Sequence, residues 1–435
     1  MNRIITLLIA LSMQASFLYG QGEMSLADCV AYAVENHAQV RIAELNMKDA
    51  EWQIKENTAV AYPNINLTGH FNYFLRQPAI PSEALGFGAP GEELMFALRK
   101  DFGASISVTQ LIFNNSYLAS VKAAKMYKDY AAIQYQGVVE KLTNQITDAY
   151  IPALSIAEGI KVLQKNIDNQ RQLVEDTKAN YVAGFVEQLD VDRLEFSLST
   201  FETDLETLVR QRDKAIEYLQ FVMNMPNTEV LILSDDLDNL LAQFDDIDPA
   251  EGIDYMNRPD YVANLKAREL NEIQTDAQSK YWWPVVNAFG SFDPTYQGND
   301  QLYWIPSSIV GVQLTMPIYD GGYHKALKER SVINTLKVDQ QNRLLTMSYD
   351  LALETARNDY FSTKQKLADK ERNLLLAEKI FNTSETKFKE GVGSSFEVTQ
   401  AQLGLYQSQA DHINARFDFL NSLIAFKQAL GKNTF

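Results

Sequence analysis

Cysteine is all but missing from this sequence. Cys29 stands alone among 435 residues, so no disulfide can form within the chain. Ser-Leu-Ala-Asp precedes it, which is unlike a lipid-attachment motif. Histidine is nearly as scarce: His37, His70, His324 and His412 lie far apart and share no metal-ligand spacing, so no metal site is expected. Neither a Gly-x-Ser-x-Gly elbow nor a phosphate-binding loop occurs, and the carboxylates lie on helix faces, where pairing with Lys or Arg is their ordinary use. No enzyme and no cofactor is expected. Basic residues are in deficit, 39 Lys and Arg against 56 Asp and Glu, for a net charge of −17. Phosphate recognition needs clustered cations, so nucleic acid is excluded as a partner. Glycine (20) and proline (12) are few and clustered, which leaves long stretches free to form helix. Beyond the N-terminus no apolar run approaches the ~18 residues a membrane-spanning helix needs.

What remains is the composition of a folded chain, 46% hydrophobic and 22% charged. Residues 1–20 read as a secretory signal: Arg3 supplies the positive start, Ile4 to Leu11 the apolar core, and Ala15 to Gly20 the exit region, with cleavage near Gly20–Gln21. A secreted chain without a membrane helix is periplasmic, extracellular or an outer-membrane barrel. The acidic excess suits such a compartment and also serves as an ordinary solvated surface.

The chain then repeats itself. Asn36-His37 opens a stretch that reaches Pro63, Gly69 and Phe71; Asn257-Arg258 opens another that reaches Pro284, Gly290 and Phe292, each 221 residues later. Gln110–Tyr117 lies over Met316–Tyr323 at an offset of 206, and Tyr181-Val-Ala-Gly184 lies over Phe388-Lys-Glu-Gly391 at 207, an offset Asp190 and Glu397 share. The first half therefore carries 15 extra residues, placed in the Pro- and Gly-bearing stretch 77–99 and expected to form a loop. Each half is expected to run helix, strand, loop, strand, very long helix, short turn, long helix. The first repeat takes 21–226, with strands at about 63–74 and 102–113 and long helices at about 117–181 and 187–223. A connector rich in Asp and Leu takes 227–256. The second repeat takes 257–435, with strands at about 284–293 and 307–318 and long helices at about 323–388 and 395–430.

The strand expectation rests on a period of two. Ile65, Leu67, Gly69, Phe71 and Tyr73 alternate with Asn64, Asn66, Thr68, His70 and Asn72. Phe102, Ala104, Ile106 and Val108 alternate with Gly103, Ser105, Ser107 and Thr109, and Val310, Val312 and Leu314 with Gly311, Gln313 and Thr315. Val286, Ala288, Gly290 and Phe292 make a weaker strand, because Phe289 interrupts its polar side. At ~10 residues each, the strands suit a tilted membrane crossing. Four are too few for a soluble sandwich of this chain length and too few to close a barrel. If they span a membrane, several chains must pool them, and three chains give twelve.

Residues 117–181 and 323–388 give helices of ~100 Å at ~1.5 Å per residue, far beyond the common helix and suited to coiled-coil or bundle packing. Their small and polar residues, Ala119, Ser120, Ala123 and Ala124 among them, and their alternation with strands set them apart from a plain filament. The turns between long helices share one layout: an aromatic (Tyr181 or Phe388), Gly three residues on (Gly184 or Gly391), and an acid six residues after that (Asp190 or Glu397). The glycines suit a left-handed helix end; Gln188, Ser394 or Ser395 are candidate caps, and the acids favour the positive end of the next helix. A structural αα-turn explains this layout, and a docking or gating surface is compatible with it.

Taken together, these segments resemble the TolC-like outer-membrane efflux protein family over nearly the whole chain after the signal. Thr315-Met-Pro-Ile-Tyr-Asp-Gly-Gly322, with Pro317, Asp320, Gly321 and Gly322, resembles the family's strand-to-helix junction, and Asn257-Arg258-Pro259-Asp260 its start of the second repeat. The aromatic-x-x-Gly turns resemble its periplasmic tips. The resemblance implies a mainly α fold with a small β part: a long α-helical coiled-coil barrel joined to a transmembrane β-barrel of twelve strands shared by a homotrimer, four strands per chain. It implies an exit duct in the outer membrane, contacting its lipid, with the helical part in the periplasm and residues 227–256 in an equatorial collar. Tyr181, Gly184, Asp190, Phe388, Gly391 and Glu397 would form the tip that gates the duct and docks on a periplasmic adaptor (membrane fusion protein), which connects to an inner-membrane pump of the RND or ABC type. In some members closure uses a tyrosine and an arginine on one tip; Phe388 and Gly393 stand at those positions here, leaving Tyr181 to bond an acid such as Glu397. Phe435, the last residue, is the terminal aromatic typical of outer-membrane proteins. A pore-free periplasmic scaffold is the competing reading, and drug efflux, metal efflux and type I secretion share one kind of duct.

Overall fold

The computed structural model describes residues 23–86, 89, 91–95, 97–244 and 248–432. The signal expected at 1–20 and the terminal Phe435 lie outside the described residues.

Helices start where a side chain can take up free N–H groups. After the two-residue strand β1 (Glu23–Met24), Ser25 caps α1 (Leu26–Asn36); its hydroxyl accepts from the Asp28 N–H, and the Asp28 carboxylate accepts from the Ser25 N–H at 3.1 Å. The chain continues through α2 (Ala38–Ala59), β2 (Asn64–Tyr73), the small hairpin β3 (Ala79–Pro81) and β4 (Glu93–Met95), β5 (Lys100–Phe113), α3 (Asn115–Val182) and α4 (Gln188–Met223). The connector holds β6 (Ile232–Leu233) and α5 (Leu237–Phe244). Then come α6 (Pro259–Ser279), β7 (Val285–Gly298), β8 (Tyr303–Thr315), α7 (Tyr323–Lys389) and α8 (Ser395–Leu430). The chain divides into two compact units: residues 23–45, 133–262 and 343–432 form one, and residues 46–132 and 263–342 the other.

In the first unit the core gathers Leu26, Cys29, Ile146, Tyr150, Leu219, Phe244, Leu423 and Phe426, all buried. Pro152 sits inside α3 without ending it. An interior proline costs about 3 kcal/mol. Its neighbours Ile151 and Leu154 are fully buried, and each such side chain returns about 1.5–3 kcal/mol, so packing outweighs the break. The connector is fixed to the same core. β6 pairs in parallel with β1, and the Asp235 carboxylate accepts from the Leu26 N–H at 2.7 Å and the Tyr150 hydroxyl at 3.0 Å. α5 lays Leu237, Leu240 and Phe244 into the core, and Arg416 of α8 pairs with Asp238.

In the second unit an antiparallel sheet runs in the order β2-β5-β7-β8. Register sorts the side chains. Leu67 lies opposite Ile106, Ile106 opposite Phe292, Val108 opposite Gly290, and Gly290 opposite Val310, so one face is apolar across the strands. Leu67 is 73% exposed and Val310 87%, so no described residue covers them on that face. The other face carries Asn66, Thr68, His70, Ser107, Ser291 and Gln313. Phe289 falls on this polar face and lies over Gly311, where an added Cβ would come within 2.8 Å of its ring. The hairpin of β7 and β8 is longer than its alternation indicates, running to Gly298 and resuming at Tyr303. Pro294 faces Pro306, and Ile305 and Ile309 sit on the polar side, which hides the period of two while the ladder continues. The pairing of β5 with β7 skips Ala104 and Ser105, beside Pro294, which has no N–H to give. Among the described residues nothing pairs with the outer edges of β2 and β8.

Burial pushes the Cys29 thiol up to about 12, with the Asp28 and Asp235 charges adding to it. Cys29 should therefore resist a maleimide in the folded protein at pH 8 and react once the chain is unfolded; labelling at equal rates in both states would contradict this core.

Candidate functional site

At each tip one long helix must end and the next must start within a few residues. α3 ends in a left-handed turn at Gly184 (φ 79°), and the Phe185 N–H reaches back to the Asn180 carbonyl at 2.9 Å. α7 ends the same way at Gly391 (φ 75°), with the Val392 N–H donating to the Lys387 carbonyl at 2.9 Å. The next helices are capped differently. Glu187 caps α4 and forms a capping box with Asp190, whose carboxylate accepts from the Glu187 N–H at 3.1 Å. Ser394 caps α8, its hydroxyl accepting from the Glu397 N–H at 3.3 Å. Gln188 does not cap: its amide donates to Asp192 at 2.7 Å. Ser395 does not cap either, for its hydroxyl donates to the Asp190 carboxylate.

That last bond joins the two tips of one chain. Ser395 is fully buried, and Arg193 adds a second link, donating to the Ser395 hydroxyl at 3.4 Å with its guanidinium 5.9 Å from the Phe396 ring. Beneath them Leu173, Val174, Leu194 and Val398 form a small core, and Phe388 packs against it. Phe388 is thus a wedge, not a polar latch. Gly393 leaves little room for a side chain, since a Cβ there would lie 3.0 Å from the Phe388 nitrogen. Among the described residues Tyr181 and Glu397 of one chain share no hydrogen bond. Tyr181 is exposed, as are Val182, Phe185, Leu189, Val392 and Phe396, so the tip offers an apolar surface. Of the two acids, Asp190 is half-buried with its carboxylate committed, while Glu397 is exposed.

The junctions repeat one device. Asp320 accepts from the N–H groups of Gly322 and His324, both at 2.9 Å, at the start of α7. Those bonds, the His324 N–H first, hold its carboxyl below the usual carboxylate range. At the matching place in the first repeat Asn114 accepts from the N–H of Ser116 at 2.8 Å. The second junction also needs Gly321 (φ 67°) and Gly322 (φ 86°), two successive left-handed residues that a side chain would strain. Pro317 precedes them, and Ile318 and Tyr319 stand almost fully exposed.

A sequence profile described as outer membrane efflux protein matches residues 30–224 and 256–432. The chain belongs to the outer membrane efflux protein family. It is an outer-membrane channel protein with its helical part in the periplasm, and not an enzyme. The outer membrane protein TolC of Vibrio cholerae is 20% identical over 416 residues, which covers 94% of this chain and 90% of that protein. The pyoverdine export outer membrane protein OpmQ of Pseudomonas aeruginosa is 20% identical over 318 residues, 73% of this chain; the match spans 65% of OpmQ, less than two thirds of its length. Among solved structures, the outer membrane protein VceC of Vibrio cholerae superposes with a TM-score of 0.71 at 13% identity, covering 94% of this chain and 97% of VceC, so the fold is that of TolC-like channels.

Within this efflux-protein fold the tip residues Ser395 and Arg193 carry contacts that the aromatic-x-x-Gly layout does not signal. Ser395→Ala would leave the Asp190 carboxylate without its cross-tip donor, a loss of about 1–2 kcal/mol for a buried bond. Hydrogen exchange should quicken in residues 180–200 and 388–400 and stay unchanged around Tyr150; unchanged exchange at the tips would remove Ser395 as the tie.

Proposed function

We propose that this chain is the exit duct of a tripartite export system, a homotrimer that passively conducts substrates from an inner-membrane pump, through a periplasmic adaptor, to the cell exterior. The observation that carries it is the four-stranded sheet with an exposed apolar face and two edges unpaired among the described residues. Lipid suits that face and cannot suit those edges, because each unpaired backbone group in hydrocarbon costs several kcal/mol. β2 and β8 run antiparallel to each other through β5 and β7, so β8 of one copy can pair with β2 of the next. Three copies close twelve strands. The duct itself supplies no energy: no nucleotide-binding loop occurs in the sequence. Pumps of the RND and the ABC type both fit.

The tip is the proposed gate and adaptor surface, formed by Tyr181, Gly184, Asp190, Phe388, Gly391 and Glu397, with Pro317, Asp320, Gly321 and Gly322 setting the strand-to-helix junction. The exposed apolar side chains at the turns support docking, since an apolar patch on a secreted protein marks a contact. Three Glu397 carboxylates, one per chain, would ring the constriction.

Unheated protein extracted from outer membranes should migrate in SDS gels as a trimer and fall to the monomer on boiling. A monomer released with the soluble periplasmic fraction would overturn the duct. Glu397→Gln should reduce cation preference in single-channel recordings across a salt gradient, and Asp190→Asn should do so less, because its carboxylate is half-buried with the Arg193 guanidinium close by on Ser395. An unchanged reversal potential for Glu397→Gln would remove it from the gate.

A further inference from the structure

We infer that the membrane end of the duct is itself cation-favouring, with Asp101 and Asp293 as its specificity-determining residues. The inference rests on the shared-barrel reading, in which the polar face of the sheet lines a water-filled lumen. Register places Asp101 opposite Asn72 and Gln297, and Asp293 opposite Ser307, all on that face. The four long strands, 64–73, 100–113, 285–298 and 303–315, contain one basic residue, Lys100, and it falls on the apolar face. Among the described strand residues, His70 is the sole histidine on the polar face. Arg76 and Arg99 come only in the loops beyond the outer strand ends.

The carboxylates are held in place. Asp101 accepts from the Asn72 amide at 3.3 Å and the Gln297 amide at 3.2 Å, and His70 Nε2 lies 3.4 Å away. Asp293 accepts from the Ser291 hydroxyl at 2.7 Å. Neutral donors fix an anion's position without cancelling its charge. Each chain thus sets two negative charges on the lumen wall, and a trimer six, with no Lys or Arg on that face of the four strands. Twelve strands about 4.8 Å apart and tilted by about 40° give a wall radius of about 12 Å. That is close to the Debye length of about 10 Å at 0.1 M salt, so the field of the wall reaches the lumen centre. Anionic solutes would meet this field as a barrier, and cations and neutral solutes would not.

A local probe tests this independently of the gate. Ser307 lies on the polar face opposite Asp293, and the native Cys29 is buried, so Ser307→Cys adds the sole accessible thiol. In outer membranes or liposomes, a cationic methanethiosulfonate reagent should modify Cys at 307 about fivefold to tenfold faster than an anionic one, relative to the same ratio for a free thiol, as expected for ~1 kT of local potential. The thiolate fraction cancels in that ratio. The preference should shrink when Asp101→Asn and Asp293→Asn are added, and at ~1 M salt, where the Debye length falls to about 3 Å. A ratio equal to that of the free thiol in the otherwise unaltered chain would overturn the inference while leaving the duct intact. A thiol that no water-soluble reagent reaches would instead refute the lumen, and the shared barrel with it. Should the Asn variants fail to assemble, the charge ratio and its salt dependence in Ser307→Cys alone still decide.

Discussion

Unpaired peptide groups at the two edges of one small sheet constrain everything else in this molecule. β2 and β8 are strands of 10 and 13 residues, and on an edge strand about every second residue turns its N–H and C=O outward. In hydrocarbon, where each unmet group costs several kcal/mol, the two edges together would cost on the order of tens of kcal/mol. A domain's net stability is about 5–15 kcal/mol. No single copy can carry this sheet into a bilayer, yet its apolar face is made for one. The shared barrel proposed above would meet this constraint, which comes from the backbone and owes nothing to any particular side chain.

Much of this was legible in the sequence, and the parts that were not share a cause. The alternation along β2 and most of β5 states the face of each residue outright, because neighbours along one strand suffice to read it. β7 and β8 defeat that reading over their outer halves. Pro294 opposite Pro306, and Ile305 and Ile309 on the polar side, make sense only across the ladder. Gly184 and Gly391 were readable because a left-handed turn is a local demand that glycine meets. The tie from Asp190 to Ser395 was not, since it joins residues 205 apart in sequence. Nor was the choice of cap: Glu187 stands where Gln188 was expected, and the Asp190 carboxylate takes up its N–H. The Asx caps at Asn114 and Asp320 show the opposite case, a local device at matched positions of both repeats.

Burial and exposure divide labour among similar residues at the tips. Phe388 and Phe396 lie eight residues apart on either side of one turn, but Phe388 packs on the small core of Leu173, Leu194 and Val398 while Phe396 faces outward under Arg193. The first holds the turn's shape; the second, with Val182, Phe185 and Val392, is surface that a partner could cover. A tip built this way keeps its form without a partner. The proposed docking would then cost little ordering entropy, because the exposed apolar groups are already positioned.

The duplication sharpens the point. An offset of 207 maps Asp190 onto Glu397 and Gln188 onto Ser395, so a bond between Asp190 and Ser395 has a mirror, Glu397 with Gln188. A symmetric pair of tips would form both. Only the first forms among the described residues: Gln188 turns to Asp192 at 2.7 Å, and Glu397 is left to solvent. The cause lies in side-chain reach. Serine's short hydroxyl can be buried at the first turn of α8 and still meet an acid, whereas the longer Gln188 finds an acid on its own helix at i+4 first. At matched positions of the two repeats, one acid is thus a structural tie and the other is exposed.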